Sequence, residues 1–242
     1  MEFEKVNIII GATDENESLI KTVDTISDAC SRDDIDNIVI VIPESATEEC
    51  LGAIGELEKR YPGMVRRLVQ THPHIGGAMR DSIDFTSSSH IMFLSADIPI
   101  GLEAVPVMID NAKKQPDKII KISRWMEKNS FYGYDKVRKI FNFCGQKLLT
   151  VLFLSRLTDY TCPVLIAPTH IYKNICFSEW NFPCLLEAVL IPLKAGCSFL
   201  EIPAKSYSRN EGKSKNSLLQ TFLYLRTAFR IRFTSLKKLY RG

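Results

Sequence analysis

The first residue with chemistry to offer is an aspartate at the end of an uncharged run. His90-Ile-Met-Phe-Leu-Ser-Ala-Asp-Ile-Pro99 sets Asp97 just beyond four apolar residues. Such a run fits a buried strand of a parallel sheet, although periodicity alone also allows a buried helical turn. Pro99 stops it from continuing. Open α/β sheets bind ligands at the C-terminal ends of their strands, so Asp97 can meet a metal or a diphosphate there. As a plain turn cap it would need neither. Gly76 and Gly77 follow His72-Pro-His74 in a loop, and glycine lets backbone approach a phosphate or simply makes a turn. His72 and His74 have metal-ligand chemistry, but most loop histidines are only solvated. Ser123-Arg124 closes another apolar run. The stretch 208–215 is a basic loop of small residues.

These residues need elements to position them. Residues 6–10 read as a first buried strand, followed by a turn at 11–13 and a helix start rich in acids at 14–18, which suits the helix dipole. Residues 35–42 form a second apolar run closed by Pro43, a helix runs through Leu51, Ile54 and Leu57, and 65–70 is a short third strand. Strand, helix, strand, helix, strand implies right-handed crossovers and a parallel sheet. A helix over 78–85 leads into the central strand, and 119–122 is the next strand. A long helix is expected over 136–157, with Arg138 and Lys139 at its dipole-disfavoured start. Residues 164–167 are a further apolar run, 185–195 a helix and 198–202 a final strand. Glu187 lies inside an apolar face and therefore needs a partner or a polar rim. Residues 218–240 form an amphipathic helix mixing Arg226, Arg230, Arg232, Lys237 and Lys238 with Phe222, Phe229 and Phe233. That mixture suits an anionic membrane surface as well as a helix packed on the domain with a solvated basic face.

The chain has 242 residues, 45% of them hydrophobic, which is enough for one domain with a real core plus a helical tail. The division expected is 1–216 for the main domain and 217–242 for the tail. Net charge is only +3, and no sheet position interleaves aromatic and basic residues, so nucleic acid is not the expected partner. Seven scattered cysteines without C-x-x-C spacing point to reduced thiols in a cytosolic setting rather than a zinc site. No stretch reads as a signal peptide or as a bilayer span.

Several stretches, in order over residues 6–216, resemble family 2 glycosyltransferases of the dolichol- or polyprenyl-phosphate hexosyltransferase type. Ile8-Ile-Ile-Gly-Ala-Thr-Asp-Glu-Asn-Glu-Ser-Leu19 is similar to the opening strand and its N-E turn. Gly76-Gly-Ala-Met-Arg80 looks like the glycine-containing helix start, and Phe93-Leu-Ser-Ala-Asp97 like F-L-D-A-D. Asp159-Tyr-Thr-Cys-Pro-Val164 resembles D-x-T-S-G-F. Leu186-Glu187 and Gly196-Cys-Ser-Phe-Leu-Glu-Ile-Pro203 resemble L-E and G-Y-x-I-x-E-V-P. Arg209-Asn-Glu-Gly-Lys-Ser-Lys215 matches R-x-x-G-x-S-K.

The resemblance implies an α/β, GT-A-type, Rossmann-like and mostly parallel sheet flanked by helices, with the amphipathic C-terminal helix appended. It implies a nucleotide sugar held by Ala12, Thr13, Glu15, Glu44, Gly76, Ala96 and Ser214. Asp97 would hold Mg²⁺ or Mn²⁺. Arg124 and Arg138, helped by Asn142, would face a polyprenyl-phosphate acceptor, and Arg209 and Lys215 would close over the donor diphosphate. The resemblance also implies a peripheral protein on the cytosolic face of a membrane, in contact through the C-terminal helix. Two departures matter. The family's first metal-side Asp is Ser95 here, and its nucleotide-side acid pair is Pro43-Glu44. A neutral hydroxyl is a poor ligand for a hard cation, so metal use is expected to be weakened or dispensable. Transfer to a cell-surface glycan, or a non-catalytic relative that binds nucleotide sugar or lipid phosphate, stays open as an alternative.

Overall fold

The computed structural model describes residues 2–96, 101–133, 135–207 and 218–241, leaving aside the side chains of residue 138 and residues 218–221. In chain order the strands are β1 (Val6–Gly11), β2 (Ile35–Ile42), β3 (Val65–Val69), β4 (His90–Ser95), β5 (Ile119–Ser123), β6 (Phe131–Tyr132), β7 (Leu165–Pro168), β8 (Phe199–Pro203) and β9 (Ser206–Tyr207). The helices are α1 (Glu17–Ala29), α2 (Glu48–Arg60), α3 (His74–Phe85), α4 (Ala104–Lys114), α5 (Lys136–Phe153), α6 (Thr169–Lys173), α7 (Pro183–Lys194), α8 (Leu218–Phe233) and α9 (Leu236–Leu239).

Seven strands make the central sheet in the order β3-β2-β1-β4-β7-β5-β8. Six run the same way, and β7 alone runs against both of its neighbours, β4 and β5. The mostly parallel sheet expected from the alternation of runs is therefore present. It is covered on both faces, which is why its strands read as continuous apolar runs instead of alternating ones. Ile8, Ile10, Ile38 and Ile40 pack with Leu19, Val23, Ile54, Leu57 and Met108 on one face. Ile9, Val39 and Val41 pack with Met79, Ile83, Leu186 and Val189 on the other, in a cluster that also takes in Ala228 and Ile231 from α8.

Several elements differ from the sequence reading, which did not expect the short β6, α6 and β9. Helix α4 fills a stretch where no element was expected; its Pro106 lies in the first turn, where a missing N–H leaves no intrahelical bond unmade. Helix α3 begins at His74 instead of residue 78, through a left-handed His74 at φ +59°. The single C-terminal helix is two, because Lys194 Nζ reaches across to the carbonyls of Ile231, Arg232 and Thr234 and terminates α8 there. A lysine at that end also complements the helix dipole.

Candidate active site

Six parallel strands deliver their C-terminal ends to one edge, and β7 enters from that same edge. On the β1–β2 side the turn after Gly11 is closed from within. Glu15 Oε2 accepts the N–H groups of Thr13 (2.8 Å) and Asp14 (3.3 Å). Ala12, buried, donates its N–H to Val41 O (3.0 Å), and Thr13 O accepts the Thr47 N–H (2.9 Å). Thr47 in turn caps α2 by accepting the Cys50 N–H (3.2 Å). Ala12 and Glu15 thus shape this turn, while Thr13 and, two residues beyond β2, Glu44 stand exposed. Ala96 is buried, with its carbonyl taking the Thr22 hydroxyl (3.2 Å), so the end of β4 is fixed against α1.

Gly76 departs from its expected role. Its N–H donates to Trp180 O (2.7 Å), and an added Cβ would lie 2.5 Å from Glu179 O. The small residue is needed because α3 begins against the 179–180 backbone, and its amide is already satisfied by protein instead of by a phosphate. Beside it His72 Nδ1 meets Asp81 Oδ1 at 2.6 Å, and its ring stacks on Trp180. Burial would raise the Asp81 carboxyl, but hydrogen bonds from His72 and Thr71 bring it below the ordinary value.

On the β5–β7 side lies a buried polar cluster. Asp159, fully buried, receives Arg124 Nε at 2.7 Å on one oxygen and Arg124 Nη2 at 2.9 Å on the other. The N–H groups of Arg124, Thr161 and Cys162 also point at it (3.1–3.2 Å). Burial alone would push the Asp159 carboxyl up; the Arg124 charge and these hydrogen bonds, with Lys121 beyond, hold it far below the usual carboxylate range. Lys121 is itself buried in β5 and donates to the carbonyls of Asp159 and Ile122. Glu201 on β8 takes the Asp159 N–H (3.0 Å) and the Thr158 N–H (2.8 Å).

Arg124 is 7% exposed, so the direct approach to an acceptor phosphate expected from the sequence gives way here to a bidentate carboxylate. The expected grouping of Arg124 with Asn142 is present. Both bond the Thr161 hydroxyl, at 2.9 and 3.4 Å. Gln146, one turn further along α5, joins Thr161 Oγ1 (2.9 Å), and its side-chain oxygen takes the Tyr160 N–H (2.7 Å). Asn142 Oδ1 also accepts the Trp125 indole N–H (3.2 Å). Sequence reasoning did not single out Gln146 or Lys121, and carried Thr161 and Glu201 only as motif positions without a role. The signal was there for two of them, since a lysine and a glutamate each interrupt an apolar strand.

Asp97, Arg209, Ser214 and Lys215 lie outside the described residues, as does the side chain of Arg138. Among the described residues no three His, Cys, Asp or Glu side chains cluster to hold a metal ion, so the described part of the site does not by itself fit one. The Gly101 N–H donates to Lys205 O at 3.1 Å.

No family model and no curated protein matches the sequence. Solved structures do match in fold. Glucosyl-3-phosphoglycerate synthase from Mycobacterium tuberculosis, solved with Mn²⁺, UDP and phosphoglyceric acid, superposes with a TM-score of 0.70 at 14% identity, over 96% of this chain and 80% of that one. The same enzyme solved with Mg²⁺ and UDP gives 0.68 at 14%, over 94% and 78%. A mycobacterial protein gives 0.70 at 11%, over 96% and 76%. With its seven-stranded, mostly parallel sheet flanked by helices, the chain has the GT-A-type fold of these glycosyltransferases.

Proposed function

We propose that the chain is a family 2 glycosyltransferase that moves a hexose from a UDP- or GDP-sugar to a polyprenyl phosphate at the cytosolic face of a membrane. One observation carries this reading. The exposed turn of Thr13 and Glu44 and the buried cluster around Arg124 and Asn142 lie at the same strand-end edge of a GT-A sheet, and this reading gives the first to the donor and the second to the acceptor. The synthase solved with this fold holds UDP and phosphoglyceric acid. The motifs retained here around Arg124, Arg138 and Arg209 favour a lipid phosphate as the acceptor.

The chemistry asks for cations. Sugar transfer leaves a nucleoside diphosphate, whose developing charge must be stabilised. In this reading Asp97 holds the divalent ion, and Arg209 and Lys215 meet the leaving diphosphate. A phosphate nucleophile is anionic near neutral pH, so no strong general base is required. Arg138 meets that phosphate, while Arg124 acts through Asp159 and Thr161 as a positioning residue that holds Asn142 and the start of β7. A divalent ion, when bound, would neutralise diphosphate charge. With serine at position 95 the protein leans more on Arg209 and Lys215 for that task.

The test is transfer from labelled UDP- and GDP-sugars to polyprenyl phosphate and, in parallel, to 3-phosphoglycerate, with Mg²⁺, Mn²⁺ or EDTA. A lipid-linked product is expected, with activity reduced but not abolished by EDTA. Product on phosphoglycerate alone would refute the lipid acceptor. Nucleotide binding without turnover on any acceptor would favour the non-catalytic reading that Ser95 suggests.

A further inference from the structure

Helix α5 has two opposed faces. Inward, Asn142, Gln146 and Leu149 lie against the Asp159 cluster and the core. Outward, Val137, Ile140, Phe141, Cys144, Leu148 and Val151 recur at helical spacing, and all are exposed. Val151 is 71% exposed, and Leu154 just beyond the helix 84%. An outer face dominated by apolar residues, with Lys147 set among them, is the reverse of what a solvated helix shows, and patches of this kind mark interaction surfaces. Helix α8 repeats the arrangement. Thr227, Ala228 and Ile231 are buried, whereas Phe222, Phe229 and Phe233 are exposed on the other side. The two helices touch, and their C-terminal ends share a cleft lined by Phe153, Leu154, Leu193, Lys194 and Arg232.

Charge identifies the occupant. Residues 136–157 and 218–241 contain eleven of the chain's 31 lysines and arginines and none of its 28 acidic residues. The rest of the chain is therefore net negative, although the whole is +3. Lys136, Lys147, Arg156, Arg226 and Arg232 are exposed along these helices, beside the apolar stripe. We propose that the outer faces of α5 and α8 together form a docking surface for an anionic lipid bilayer, with α5 as its main apolar contact. Apolar side chains would sink to the acyl boundary, and the lysines and arginines would meet phosphate headgroups. The inference deepens the lipid-acceptor reading, because it places the buried acceptor-side cluster directly behind the helix that rests on lipid.

The experiment uses the full chain and vesicles that lack polyprenyl phosphate, with no sugar donor, so its outcome is independent of turnover. Co-sedimentation is compared on phosphatidylcholine vesicles with and without phosphatidylglycerol. Strong binding is expected only with the anionic lipid, weakened by about 5-fold for each of Lys147→Gln and Arg232→Gln and lost in Ile140→Glu/Val151→Glu. A polarity-sensitive fluorophore on the exposed Cys144 should shift to the blue on anionic vesicles, a reading that needs no disruptive substitution. Absence of wild-type binding, or an unchanged Cys144 signal, overturns the proposal. So does a stable dimer of the free protein that Val151→Glu dissociates, since the face would then belong to a second copy.

Discussion

Asp159 carries the heaviest electrostatic demand of any described residue. Its carboxylate is fully buried and depends on Arg124, so removing either partner leaves an uncompensated buried charge. Arg124→Ala and Asp159→Ala should each lower unfolding free energy by about 3–5 kcal/mol in urea titrations. Arg138→Ala should leave stability near wild type and raise KM for the acceptor. An Arg124 variant as stable as the parent would remove the positioning role. The pH dependence follows from the direction of the Asp159 shift. Its folded-state value lies below the unfolded value of about 3.9, so its contribution is complete above that value and is lost as pH falls below it. Asp159→Asn should flatten the acid limb of the stability–pH curve. Gly76→Ala makes a steric test: with backbone 2.5–2.7 Å from the new methyl, it should lower stability by about 1–3 kcal/mol, read as a drop in Tm.

At the scale of elements, α8 is held by a charge pair that joins three segments. Arg230 bonds Glu187, a buried carboxylate of α7 that also accepts the N–H groups of Ser178 and Glu179 (3.0–3.1 Å). The partner that Glu187 required is thus supplied from the C-terminal helix. Arg230→Met should release α8, giving faster proteolysis after residue 217 and a stability loss of about 3 kcal/mol. Combining it with Glu187→Gln should recover part of that loss, because no buried charge is then left alone. An unchanged proteolysis rate would show that α8 docks through its apolar face only. The strands were legible from apolar runs such as 38–42 and 91–94, because a sheet covered on both faces writes itself as continuous apolar sequence. The reversed direction of β7 was not, since four apolar residues carry no sign of orientation. The start of α3 was obscured by its proline and glycines, and α4 by Pro106. Of the site, the Arg124–Asn142 grouping was readable through the family resemblance. The role of Gly76 was not, because a glycine needed beneath Trp180 looks the same in sequence as one needed beneath a phosphate.

At the scale of the whole molecule, a small net charge conceals a strong separation. Two helical segments hold eleven cations and no acid, and the rest of the chain is net negative. No helix among the described residues is long and apolar enough to cross a membrane. Any association with lipid in this part of the chain would therefore run through surface faces and respond to ionic strength. Raising salt should release the protein from anionic vesicles while leaving nucleotide binding by the Thr13 turn unchanged, which sedimentation and calorimetry can follow separately. The two-sided packing of α5 has one more consequence. In the proposed arrangement one helix would touch the acceptor site through Asn142 and Gln146 and the bilayer through Ile140 and Val151, so a shift of the helix would register in both places. Equilibrium linkage is reciprocal. If lipid contact tightens acceptor affinity by some factor, a water-soluble acceptor analogue must tighten vesicle affinity by that same factor. The protein would then reside longer on membranes that are rich in its own substrate.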